Sequence, residues 1–131
     1  MIYKAIKYLY YRIYDWNLRA WGESDLPQYN AIIGISFFIW LNLITVVIAI
    51  EALIKSEYLV SIPNSEYYAG AILLTLILMN CFLLVRNGKY LTIAEEFKKE
   101  NPSQKRKRLI LIWLYIVGSF VLNLFFVWLA Y

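Results

Sequence analysis

The sequence has no histidine and a single cysteine, Cys81. Without histidine there is no imidazole acid–base catalysis, and the usual zinc-ligand sets are missing. One cysteine excludes a disulfide within the chain. Charge is scarce too: 17% of the 131 residues, against about a quarter in an ordinary soluble domain. No glycine-rich phosphate loop, carboxylate dyad or nucleophile–base pair occurs. The expectation is therefore no enzyme activity, no catalytic residue, no cofactor and no metal.

What the chain does contain is apolar surface. Hydrophobic residues make up 62% of it, and mean hydropathy is +0.56. A domain of this size buries only part of what it exposes, so the solvent for that surface is expected to be lipid. Three runs carry no charge: Ala31 to Ile50, Tyr67 to Val85 and Leu109 to Tyr131. Each is near the ~20 residues a membrane helix needs. None alternates as a barrel strand would. No secretory leader pattern precedes Ala31, and the chain reads as unprocessed.

Lysine and arginine set the expected orientation. Lys4, Lys7, Arg12 and Arg19 precede the first span, and eight cations from Arg86 to Arg108 lie between the second and third. Between the first and second stands only Lys55, against Glu51, Glu57 and Glu66. With three spans, both basic segments fall on one side. The N-terminus is expected in the cytoplasm and the C-terminus outside. Aromatics agree: Tyr67, Tyr68, Trp128 and Tyr131 mark the outer interface, and Trp21, Tyr29, Tyr90 and Trp113 the inner one. A net charge of +4 then reports topology and lipid headgroups, and no nucleic-acid partner is expected.

The N-terminal segment has helical periodicity. Ile2, Ile6, Leu9, Ile13, Trp16 and Ala20 share one face, with Lys4, Lys7, Arg12, Asp15 and Arg19 opposite. The pattern favours a helix lying among headgroups over one packed on a partner protein or on the second basic segment. Gly22 and Pro27 bracket the turn into the first span. Asn87-Gly88 marks the end of the second. A short helix follows, with Tyr90, Ile93, Ala94 and Phe97 on one face. Asn101 then reads as an N-cap, with Pro102 at the first helical position and Gln104 at the third. The basic run Lys105, Arg106, Lys107 and Arg108 enters the last span, where it is read first as a topology anchor and a contact for anionic headgroups.

The expected fold is an all-α integral membrane protein forming one membrane domain. It has an amphipathic interfacial helix (1–22), spans at 31–54, 67–86 and 102–131, and a short cytoplasmic helix (90–100).

Each span carries one asparagine: Asn42, Asn80 and Asn123. Their faces hold small or polar residues, Thr45 and Ala49 beside Asn42, Ala69 with Asn80, and Ser119 beside Asn123. By depth, Asn42 is expected to be able to meet either of the other two. Helix packing through Asn42, Thr45, Asn80, Ser119 and Asn123 is the first reading, and a polar path lined by them the second. No span interior holds an ionisable carboxylate, cation or imidazole, which argues against proton relays and ion-coupled carriers. Cys81 reads as a small hydrophobe.

The tyrosine-rich "YYRIYDW" start, the "KYLTIAEEFKKE" segment and the basic entry to the last span resemble a group of small three-span inner-membrane proteins of Bacteroidetes type. The resemblance implies a bacterial inner-membrane location and carries no activity or functional residue. The expected role is a non-enzymatic subunit that assembles with itself or another membrane protein, with no small-molecule substrate. The alternative is a small pore-forming or membrane-perturbing effector.

Overall fold

The first helix, α1 (Ile2–Trp21), stops where Gly22 takes φ 79°, a conformation that favours glycine, while the Gly22 N–H still donates to the Leu18 carbonyl at 2.9 Å. One short turn, Glu23–Asp25, and a left-handed Leu26 lead into α2 (Pro27–Ile54), which has proline at its first position. The computed structural model describes residues 2–55 and 63–130. Glu57, Tyr131 and the side chain of Ile2 lie outside this description.

Next come α3 (Ser65–Asn80), a π turn over Cys81–Val85 and a tight turn at Arg86–Gly88. Asn87 and Gly88 take φ of 60° and 72° in succession, which breaks the helix path and starts α4 (Lys89–Lys98). Leu76 and Asn80 of α3 and Leu84 of the π turn are all buried. The last helix, α5 (Pro102–Ala130), begins as its sequence dictates: the Asn101 Oδ1 accepts the Gln104 N–H at 2.8 Å.

The described residues form helices and turns with no strand, and three of the helices are long and apolar enough to cross a membrane. The first span is the hub, with α1, α3 and α5 all packing on α2. From α2, the Trp40 indole N–H donates to the Ala69 carbonyl of α3 at 3.0 Å. On the α5 side, Phe38 and Phe120 meet edge to face at 6.0 Å. Burial is uneven: 33% of the apolar window of α2 lies inside, against 6% for α5.

The densest packing lies at the end where α1, α4 and the start of α5 meet, called here the basic end. Tyr8, Leu9, Tyr10, Tyr11 and Tyr14 of α1 join Ala31, Ile32 and Ile35 of α2, with Leu84, Ile93 and Phe97. A Cβ on Gly34 would lie 3.4 Å from Ile13, so α1 rides close on α2 there. The buried face of α1 is thus wider than its isoleucine stripe. Tyr8, Tyr11 and Tyr14 pack on Tyr90 and Phe97 of α4, so α1 rests on the second basic segment, the arrangement read second from the sequence. Trp16, placed on the apolar face, is 57% exposed.

Candidate functional site

Two polar constellations stand out, one at the basic end and one within the spans. The first centres on Glu100, in the turn between α4 and α5, whose side chain is 5% exposed. It forms an ion pair with Arg12 of α1, and its other oxygen lies 3.1 Å from the Arg108 guanidinium of α5. The Tyr8 hydroxyl donates to the Glu100 Oε1 at 3.1 Å and accepts the Arg12 Nε–H at 2.9 Å. The Arg12 guanidinium lies 5.0 Å from the ring centroids of both Tyr8 and Tyr11. A carboxylate held away from water needs this many donors, because an unpaired buried charge costs several kcal/mol. One group therefore ties α1 and the α4–α5 turn to the last span.

This corrects the expectation for Arg12. Read as a headgroup contact, it is instead 9% exposed and turned inward to Glu100. Arg108 is drawn the same way. The other expected headgroup cations differ among themselves. Lys7 is paired with Glu96 at 3.3 Å, and Arg19 with Asp15 at 2.7 Å, while Lys4, Lys105, Arg106 and Lys107 are exposed.

Around this cluster the rings of Tyr8 and Phe97 meet at 5.0 Å, and those of Tyr14 and Tyr90 at 5.8 Å. Tyr10 is fully buried, and its hydroxyl donates to the Gln28 carbonyl at 3.2 Å. Burial pushes the Tyr10 phenol well above its ordinary value, with neighbouring phenols adding to the shift. Tyr11 and Tyr14 move in the same direction, again mainly through burial.

A cleft of about 480 Å³ opens beside the cluster, walled by Tyr11 and Arg19 of α1, Phe97 and Lys98 of α4, and Pro102 and Lys105 of α5. A shallow groove of about 470 Å³ starts from the same Pro102 and Lys105 and runs past Arg106 to Leu109, Ile110 and Trp113.

In the spans, no two asparagines meet. The Asn80 amide donates to the Ser36 hydroxyl at 2.9 Å, joining α3 to α2. The Asn42 amide donates to the Tyr115 hydroxyl at 2.6 Å and to its own helix at the Phe38 carbonyl, 2.8 Å. The Asn123 amide donates to the Thr45 hydroxyl at 2.8 Å, and the Thr45 hydroxyl in turn donates to the Leu41 carbonyl at 2.8 Å. Ser119 donates to the Tyr115 carbonyl one turn back and stays within α5. Every asparagine thus reaches a hydroxyl on a neighbouring helix. Among the described residues no buried side-chain nitrogen or oxygen lacks a partner.

Ser36 and Thr45 are separated by about two and a half helical turns, so they face opposite sides of α2. Asn80 approaches one side, and Asn42 and Asn123 bond on the other. The three amides consequently share no common lining within one chain. Glu51, read as reaching water, is buried at the end of α2 with 5% exposure.

Ser36, Tyr115, Tyr8 and Glu100 were not singled out from sequence. The available signal was chemical: an amide in lipid must find a partner, and the hydroxyls on neighbouring spans are few. Glu100, a carboxylate amid cations, was the corresponding signal at the basic end.

Among the described residues no group of three or more metal-ligating side chains comes together. No protein family, curated protein or solved structure matches the chain.

Proposed function

We propose that this chain is a non-enzymatic integral membrane protein that acts as a subunit, assembled with further copies of itself or with another membrane protein. In this reading the basic end faces the cytoplasm, in keeping with the lysine and arginine bias, and the C-terminus lies on the far side. The proposed location is a bacterial inner membrane. Helix α1 lies at the headgroup level, where Lys4, Arg19, Lys105, Arg106 and Lys107 attract anionic lipid.

One observation carries the reading. The polar groups of the spans are used as struts, Asn80 on one side of α2 and Asn42 and Asn123 on the other. A pore-forming effector needs polar groups that converge on a path, and within one chain these diverge. The sparse burial of α5 supports an assembled state, since most of its apolar face is open to lipid or to another helix.

The test is particle mass in mild detergent, with identification of any co-purifying chain. A particle heavier than one chain plus its detergent is expected. A strict monomer with no neighbour would overturn the subunit reading.

A further inference from the structure

The cleft at the basic end holds more positive than negative charge. Its two carboxylates are already matched, Glu100 by Arg12 and Arg108, and Asp15 by Arg19. Lys98 and Lys105 also line it, and neither has an ion-pair partner among the described residues. The Arg19 side chain is 65% exposed, so it can serve a second anion while holding Asp15. Three cations from α1, α4 and α5 therefore converge on one opening.

The adjoining groove carries no acid at all. It shares Pro102 and Lys105 with the cleft and becomes apolar along Leu109, Ile110 and Trp113. From Lys105 to Trp113 the helix rises about 12 Å, more than the ~6 Å headgroup layer on one side of a bilayer. With α1 at the headgroups, the shared wall leads from a basic opening at headgroup depth to a shallow apolar groove at hydrocarbon depth. That order matches the order of parts in a phospholipid, and a soluble phosphate would leave the groove empty.

We propose that the cleft and groove together bind one anionic phospholipid. Its phosphate sits among Arg19, Lys98 and Lys105, and one acyl chain runs along Leu109, Ile110 and Trp113. The site deepens the interfacial placement of α1 proposed above and rests on it. It differs from diffuse attraction because it depends on which cations are present and on the apolar groove beside them.

The test is native mass spectrometry of the full chain in detergent, with phosphatidylglycerol titrated into a phosphatidylcholine background. One retained phosphatidylglycerol per chain is expected. The triple variant Arg19→Gln, Lys98→Gln, Lys105→Gln should weaken retention about a hundredfold, at roughly one order of magnitude for each one to two cations. A control of equal charge change on the same face, Arg86→Gln, Lys89→Gln, Lys99→Gln, all three exposed, should retain the lipid within about twofold of the parent. Trp113→Ala alters only an exposed side chain, and it should weaken the diacyl lipid several-fold. Equal losses in both triple variants would overturn the site while leaving the interfacial placement of α1 standing. No preference for phosphatidylglycerol in the parent chain would overturn both. Full competition by inorganic phosphate would overturn the lipid assignment.

Discussion

At the basic end a buried carboxylate sits between two guanidiniums and a phenol, whereas the cross-helix polar contacts of the spans are neutral: three amides on hydroxyls and the Trp40 indole on the Ala69 carbonyl. The difference follows from the solvent. In the proposed placement the basic end lies near the headgroups, where ions reach water and lipid phosphates, and several donors offset the cost of burying Glu100. In hydrocarbon an ion has no such recourse, and an amide–hydroxyl bond contributes only ~0.6 kcal/mol on average, up to about 2. The basic end thus concentrates its polar energy in one place, and the spans spread theirs over several weak struts. Losing a strut should loosen a helix, and losing Glu100 should release α1.

The largest effect is expected from Glu100→Gln. It removes the charge between Arg12 and Arg108 and leaves Arg12 buried with only Asp15, 4.0 Å away and already held by Arg19 at 2.7 Å. A penalty of about 3–5 kcal/mol on the docking of α1 is expected. Hydrogen exchange in nanodiscs checks it: the α1 amides should exchange faster, and those of α2 and α3 should not. Uniform loosening would erase the contrast between the two regions.

Alkaline pH sharpens the same contrast. The docked state holds the Tyr10 phenol protonated above its ordinary value of 10.0, so it binds more protons than the undocked state once pH passes that value. Docking of α1 should be independent of this group below about pH 10. Above it, the contribution of Tyr10 falls by about 1.4 kcal/mol per pH unit. Phenolate absorbance should show a late-titrating tyrosine that joins the early ones when α1 is released.

Much of the architecture was legible. Hydropathy alone marks the three apolar runs, because a helix that faces lipid over most of its surface is apolar nearly all round. Local chemistry marks the ends: Asn101 caps α5, and Asn87-Gly88 breaks the chain after α3. The same uniform hydropathy explains what could not be read. A span whose polar stripe is only a few residues fixes its rotation too loosely, so the partners of Asn42 and Asn80 could not be chosen. Arg12 was misplaced for a related reason. Its periodicity puts it with Lys4 and Lys7, and only the folded chain brings Glu100 to it from the α4–α5 turn.

The smallest energetic effect is expected in the spans, yet it bears most directly on what the asparagines are for. Reconstitute the chain in liposomes and measure release of a trapped dye, with the parent and with Asn42→Leu. The struts reading predicts no release above protein-free vesicles for either chain, with a stability loss of about 0.6–2 kcal/mol in the variant. Dye release by the parent that Asn42→Leu abolishes would contradict it and place the amides on a path.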